Sequence, residues 1–135
     1  MIAADSSVAI AAALRWHDLH REAVSALRQA EVTLPAHASV EAYSVLTRLR
    51  APRGLAAGEA LRFLRTHFRL PLIALSAERY EWLLELSGAS GVVGGAIYDA
   101  VVAATALDAG ATLLTLDQRA ERVYRLVGVD YRLLG

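Results

Sequence analysis

Short apolar segments alternate with stretches of helical periodicity along this 135-residue chain, and no other feature limits the fold as strongly. Five of these segments have the length and flanking residues of buried strands: 2–4, 32–35, 72–75, 111–115 and 129–133. Strands that alternate with helices form a parallel sheet with helices on both faces. The sequence therefore predicts an α/β fold, and its length predicts a single domain over residues 1–135.

The stretches between the segments carry the expected signals for helix starts and ends. Asp5-Ser6-Ser7 is a good helix start, because Asp and Ser side chains accept hydrogen bonds from first-turn amides, and Gly110 is a typical helix end. Seven helices are predicted, at residues 8–14, 18–30, 39–50, 57–68, 77–86, 98–109 and 118–127. The helix at 98–109 consists mostly of small apolar residues, which predicts close packing.

The composition excludes several kinds of catalytic site. The chain has no cysteine, which excludes disulfides, cysteine-ligated zinc and thiol nucleophiles. It has no lysine either, so a phosphate-loop lysine and Schiff-base chemistry are also excluded. The longest uncharged stretch, 86–98, is short and rich in glycine, and no secretory signal precedes Asp5. We therefore expect a cytoplasmic protein without a membrane span.

Four acidic residues lie beside these apolar elements: Asp5, Glu41, Asp99 and Asp117. Asp5 and Asp117 each follow a predicted strand, which places them at the carboxyl edge of a parallel sheet, where such folds bind ligands. Glu41 and Asp99 lie near the starts of their helices and can reach the same crevice. A set of carboxylate oxygens favours the hard ions Mg²⁺ and Mn²⁺. The pattern therefore predicts a metal-binding carboxylate cluster.

Asp99 carries the strongest signal of the four. It is embedded in small and aliphatic residues, and no basic residue occurs between Arg79 and Arg119. An unpaired buried carboxylate costs several kcal/mol, so Asp99 must be exposed, neutralised or matched by a cation from elsewhere. For Asp5 and Asp117, a purely structural role as helix caps stays an equal alternative.

The other polar residues carry weaker signals. Glu41 and Arg48 are seven residues apart on one helix, so a solvated surface pair is the simplest reading of Glu41. Asp108 and Asp130 are expected to be solvated. Among the histidines only His17 and His20 have a metal-ligand spacing, and one such pair is weak evidence. The segment from Arg48 to Arg69 is rich in arginine and is expected to form either a positive patch or a solvated surface. Its only acid is Glu59, and its arginines are Arg48, Arg50, Arg53, Arg62, Arg65 and Arg69.

Four blocks of this sequence resemble PIN domains in their order and spacing, namely residues 2–7, Glu41 in the third helix, residues 95–106 and residues 111–117. The resemblance spans nearly the whole chain and implies a parallel-sheet α/β/α sandwich of the PIN-domain type. Among PIN proteins of this size, the chain most resembles the VapC toxins of toxin–antitoxin modules.

The resemblance implies roles for individual residues. Asp5, Glu41, Asp99 and Asp117 would be the catalytic, metal-binding acids, with Ser7 and Thr115 as polar supports. Many family members continue past the fourth acid with a basic residue, Asp and Phe, whereas this chain has Gln118-Arg119-Ala120. A further acidic ligand is therefore missing, Glu121 is the nearest substitute, and one or two metal ions remain possible. Three arginines are expected to hold the RNA backbone: Arg48, Arg50 and Arg53.

The function implied by the resemblance is that of a Mg²⁺- or Mn²⁺-dependent endoribonuclease. It would act as the toxin of a type II toxin–antitoxin system, form a homodimer and be held inactive by a cognate antitoxin protein. The alternative is a catalytically silent PIN-like interaction module whose acids only cap helices. A metal-dependent phosphatase is a third possibility, but it would want a second Asp where Ser7 stands.

Overall fold

The computed structural model describes residues 1–135 and contains one four-stranded sheet. The strands are β1 (Ile2–Ala4), β2 (Val32–Thr33), β3 (Thr112–Thr115) and β4 (Tyr131–Leu133), in the order β2-β1-β3-β4. All neighbouring strands are parallel; Ala3 pairs with Leu113, for example. The predicted parallel sheet is confirmed, with β1 and β3 at its centre.

Seven α-helices connect and cover the strands. Their bounds are α1 (Ser6–Ala13), α2 (His20–Gln29), α3 (Ala36–Arg48), α4 (Ala57–His67), α5 (Ala77–Ser90), α6 (Ala96–Asp108) and α7 (Glu121–Val127), with a 3₁₀ turn at Gln118–Ala120. The start of α3 three residues before the predicted position matters for the site, because it adds His37 to the helix. No helix combines the length and apolar character needed to cross a membrane.

Helices cover both faces of the sheet, as the alternation of elements predicts. Successive residues of a strand point to opposite faces. Ala3 and Leu113 pack into a core cluster with α6 and α7, whereas the next residues, Ala4 and Leu114, pack into a second cluster with α1 and α2. The two clusters are the two helix–sheet layers of an α/β/α sandwich.

The central helix α6 is buried almost all round. Its residues from Ala100 to Ala106 are at most 7% exposed, and four of these seven are alanines. Small side chains let α6 approach the sheet and its neighbouring helices closely, which confirms the close packing predicted for this helix. The same approach places the first turn of α6, with Asp99, at the carboxyl edge of the sheet.

The strand predicted at residues 72–75 is wrong. Only Ile73 pairs with the sheet: its N–H donates to Leu34 O at 3.1 Å and its carbonyl accepts from the Ala36 N–H at 2.8 Å. Leu72 is 52% exposed, so the apolar run is not buried along its length. The segment contributes a single bridge beside β2 and does not form a fifth strand.

Candidate functional site

Asp5 follows β1 directly, and both oxygens of its carboxylate accept hydrogen bonds. Oδ1 accepts from the backbone N–H groups of Ser7 at 3.0 Å and Val8 at 3.3 Å, which caps α1. Oδ2 accepts from the Tyr124 hydroxyl at 2.7 Å. Burial raises the pKa of Asp5, while the hydroxyls of Ser7, Thr115 and Tyr124 oppose the rise. Asp5 is thus a buried carboxylate whose position is fixed by the protein.

The Ser7 hydroxyl connects Asp5 to the segment that carries Asp117. Ser7 Oγ donates to Asp5 Oδ1 and accepts from the backbone N–H of Leu116 at 2.9 Å. Beside it, Thr115 Oγ1 accepts from the backbone N–H of Asp117 at 3.0 Å. The two predicted supporting residues therefore hold the ends of β1 and β3 in a fixed relation.

Asp117 also acts as a cap, because its Oδ1 accepts from the backbone N–H of Arg119 at 2.9 Å. Its Oδ2 accepts no hydrogen bond from the protein, so that oxygen is available to a ligand. Both acids at the strand ends therefore do what the structural alternative expects of them. Capping leaves each carboxylate with free lone pairs and does not exclude a second role.

Asp99 lies in the first turn of α6, and its side chain makes no hydrogen bond or ion pair. Burial and, in decreasing order, the charges of Asp117, Glu41 and Asp5 together raise the pKa of Asp99 to about 6, although His37 opposes the rise. The nearest arginine in the preceding sequence, Arg79, is engaged elsewhere. The fold thus brings Asp5, Glu41 and Asp117 within electrostatic reach of Asp99, with no arginine among them.

Glu41 lies one helical turn after His37 on α3. Burial raises the pKa of Glu41, and the charge of Asp5 raises it further. Burial lowers the pKa of His37, which favours the neutral imidazole, although the charge of Asp99 opposes this. His37 Nε2 and Glu41 Oε1 are 3.5 Å apart, which is long for a hydrogen bond, and Nε2 is buried without another partner. We therefore treat this contact as a close approach of two polar groups and not as an ion pair.

In the side-chain positions of this structure, no three acidic or histidine groups are spaced to share one metal ion. Like charges without a cation favour such separation. The donor set itself consists of carboxylate oxygens, which suits a hard ion such as Mg²⁺ or Mn²⁺. Neither Glu41 nor Asp99 is held by a hydrogen bond, so both are free to turn toward an ion.

Two further acids are held away from this cluster. Asp108 is exposed, as expected, and accepts two hydrogen bonds from the Arg79 guanidinium, at 2.9 and 3.0 Å. Glu121, the nearest substitute for a missing ligand, accepts from Arg125 at 3.1 Å and from the Tyr131 hydroxyl at 2.7 Å. Neither carboxylate contributes to the charge around Asp99.

His17, in the loop before α2, and His20, at the start of α2, both contact backbone groups. His17 Nδ1 accepts from the Leu19 N–H at 3.0 Å, and His20 Nδ1 lies 2.8 Å from Ala11 O. Since each ring makes a separate backbone contact, the weak prediction of a metal pair has no support in the structure.

The three arginines expected to bind RNA are exposed, at the end of α3 and just after it. Arg48 makes no ion pair with Glu41, so the simplest reading of Glu41 as a surface pair is wrong. A helical rise of 1.5 Å per residue puts Arg48 about 10 Å along α3 from Glu41. The Arg53 guanidinium stacks on Trp16 at 4.0 Å, and the Trp16 indole N–H donates to Arg53 O at 2.8 Å. The three arginines therefore lie at and beyond the end of α3, away from its first turns, which carry His37 and Glu41.

Comparison with known proteins identifies the class to which this fold and site belong. Residues 2–126 match the model of the PIN domain, so the chain belongs to the PIN-domain family. The predicted PIN-type α/β/α sandwich is thereby confirmed. The chain is similar to Ribonuclease VapC40 of Mycobacterium tuberculosis (strain H37Rv), with 43% identity over 134 residues and 99% of each chain covered. The predicted resemblance to the VapC group is confirmed as well.

Two further comparisons agree with this assignment. Ribonuclease VapC27 of the same organism is 41% identical over 128 residues, which cover 95% of this chain and 93% of that protein. The crystal structure of VapBC2 from Rickettsia felis, bound to a DNA fragment from its promoter, matches the fold with a TM-score of 0.69. It covers 100% of both chains at 17% identity, which supports the fold alone.

Proposed function

We propose that this protein is a metal-dependent endoribonuclease of the VapC type that acts in the cytoplasm as the toxin of a type II toxin–antitoxin system. The observation that carries the proposal is the environment of Asp99, a carboxylate without a partner, surrounded by the charges of Asp5, Glu41 and Asp117. A site that crowds four acids and supplies no cation of its own is suited to bind one. The similarity to named ribonucleases supplies the substrate class.

Each acid has a distinct part in this proposal. Asp5, Glu41, Asp99 and Asp117 would hold Mg²⁺ or Mn²⁺, and the ion would lower the pKa of a bound water and offset charge on the phosphodiester. Asp5 and Asp117 fix the position of the site, because Ser7 and Thr115 hold the strand ends. The exposed Arg48, Arg50 and Arg53 would hold the RNA backbone, which supplies affinity without sequence choice.

Cleavage of total bacterial RNA by the purified chain tests the enzyme proposal. Cleavage should require Mg²⁺ or Mn²⁺ and stop in EDTA. Asp99→Asn keeps the shape and removes the charge, so activity should fall by at least ~100-fold if the ion supplies several kcal/mol of transition-state stabilisation. Asp130→Asn, at an exposed carboxylate outside the cluster, is the matched control and should cleave normally. Full activity of Asp99→Asn, or in EDTA, would falsify the proposal.

The antitoxin partner and the homodimer are parts of the same proposal. Expression of the chain alone in a bacterial host should arrest growth, and the Asp99→Asn form should not. Co-expression with a small neighbouring reading frame should restore growth and yield a stable complex. A harmless wild-type chain that co-purifies with nothing would remove the toxin role while leaving the PIN fold intact.

A catalytically silent interaction module stays as the second candidate, because one observation favours it. Asp5 and Asp117 both cap helical turns, as that candidate requires. It does not account for Asp99 and Glu41, which cap nothing and make no hydrogen bond. Unchanged RNA in the presence of Mg²⁺ and of Mn²⁺ would favour this candidate.

A further inference from the structure

Tyr98 is an exposed aromatic side chain immediately before Asp99 in the first turn of α6. It is 51% exposed, and its hydroxyl makes no hydrogen bond. Its ring stacks on the His37 imidazole, with ring centroids 5.1 Å apart and planes only 10° from parallel. The imidazole thus overlaps part of one face of the Tyr98 ring, while about half of the residue stays open to solvent.

Each residue of the stacked pair lies next to one of the four acids. His37 precedes Glu41 by one turn of α3, with Nε2 and Oε1 3.5 Å apart, and Tyr98 is the sequence neighbour of Asp99. Adjacent residues on an α-helix project about 100° apart, so Tyr98 lies on the helix face next to that of Asp99. Contact between α3 and α6 accounts for the covered ring face but leaves the exposed half without a role.

We infer that His37 and Tyr98 form a stacking platform for one unpaired nucleobase of the RNA beside the bond that is cut. This inference rests on the ribonuclease function proposed above and narrows its substrate to RNA that is single-stranded at that nucleotide. Proteins recognise single-stranded RNA by stacking its bases on aromatic side chains, and such stacking tolerates every base. His37 keeps the Tyr98 ring in one orientation, so the ring is ordered before the base arrives. Specificity for a base edge would have to come from other groups.

The platform is tested by combining the Tyr98→Ala variant with RNA substrates that each lack one base. The substrate is a short single-stranded RNA that the wild-type protein cleaves, with an abasic nucleotide placed at each position in turn. Tyr98→Ala should lower kcat/KM about tenfold, mainly through KM. One abasic position next to the cut should cause a similar loss in the wild type and none in Tyr98→Ala. If the loss from Tyr98→Ala and the loss from the abasic nucleotide multiply at every position, the two act independently and the inference is overturned.

A second readout uses binding alone. A 2-aminopurine base in a short single-stranded RNA loses fluorescence when it stacks, and we expect this loss with the wild type but not with Tyr98→Ala. Tyr98→Phe keeps the ring and should rescue the quenching. Tyr80→Ala removes a tyrosine of comparable exposure from α5, which carries none of the four acids, and should quench normally.

The two readouts separate this inference from the nuclease proposal. Quenching that survives Tyr98→Ala, or that never occurs at any position, overturns the platform whether or not RNA is cleaved. Quenching that depends on Tyr98 in a protein that cleaves nothing supports the platform and removes only the nuclease. Melting temperatures of all variants exclude loss of folding as the cause.

Discussion

Asp5 and Asp99 are carboxylates of opposite kinds, although both lie at the carboxyl edge of the sheet. Asp5 uses both oxygens to accept hydrogen bonds from the protein, whereas Asp99 accepts none. Burial raises the pKa of each, so both are less stable as anions than they would be in water. The charge of Asp5 is stabilised by hydrogen-bond donors of the protein, whereas the charge of Asp99 has no such donor and would be stabilised by an external cation.

Tyr124→Phe should destabilise the protein by about 1–3 kcal/mol, because it leaves a buried oxygen of Asp5 without its donor. Tyr124 is 1% exposed, so water cannot easily replace the hydroxyl. Chemical denaturation at neutral pH measures the loss. The control is Tyr80→Phe, at a 41% exposed tyrosine, which should change stability by less than about 0.5 kcal/mol. Equal effects at both positions would show that the hydrogen bond to Asp5 has no special weight.

The raised pKa of Asp99 should make metal-free stability depend on pH in a defined window. Between its ordinary value of 3.8 and about 6, the folded chain keeps a proton on Asp99 that the unfolded chain has lost. The contribution of Asp99 to stability therefore falls as pH rises through this window and is constant above it. In EDTA, Asp99→Asn should gain stability relative to the wild type across the same window. If the difference in unfolding free energy between Asp99→Asn and the wild type does not change with pH, or shrinks as pH rises, Asp99 does not have a raised pKa.

The acids were open to prediction from the sequence, because strand ends and helix starts define one edge of a parallel sheet. Tyr124 was not, since 119 residues separate it from Asp5 and nothing local marks the contact. His37 carried a usable signal, its spacing of four residues from Glu41. That signal was missed because the predicted helix began at Ser39, which placed His37 outside it.

Among the elements, α6 shows how far a local pattern can be trusted. Its run of alanines and valines predicted both the helix and its close packing. The run at residues 72–75 was equally apolar and was wrongly predicted as a strand. The difference lies in the tertiary structure, because residues 100–106 of α6 are buried, whereas only Ile73 of the second run pairs with a neighbouring segment.

Ala103→Leu should destabilise the protein by about 1–3 kcal/mol, because the added atoms have no space beside this fully buried alanine. The same change at Ala89, which is exposed on α5, should be almost neutral. Thermal unfolding of the two variants makes the comparison. If Ala103→Leu is tolerated as well as Ala89→Leu, α6 is not closely packed.

For the molecule as a whole, the alternation of elements was sufficient to predict a parallel sheet with helices on both faces. The strand order β2-β1-β3-β4 was not predictable in this way, because it depends on which crossover packs on which face. The order matters for function, since it makes β1 and β3 central neighbours and so brings Asp5 and Asp117 to adjacent strand ends.

Saturating Mn²⁺ should raise the melting temperature of the wild-type protein. An ion that binds only the folded state adds about 2.7 kcal/mol at a hundred times its dissociation constant. In Asp99→Asn the response should shrink, while the metal-free variant should be no less stable than the wild type because one repelling charge is gone. Calorimetry of both proteins with and without Mn²⁺ measures these melting temperatures. If Asp99→Asn melts far below the wild type in both conditions, Asp99 stabilises the fold and does not bind a metal ion.

The bond from the Leu116 N–H to Ser7, and the bond from Tyr124 to Asp5, both join the start of the chain to its last fifth. A growing polypeptide therefore carries Asp5 long before it carries the residues that fix it. β1 has only its edge neighbour β2 available until β3 has been synthesised, and Asp117 arrives later still. The acidic crevice consequently cannot form on the ribosome until residues as far as Tyr124 have emerged.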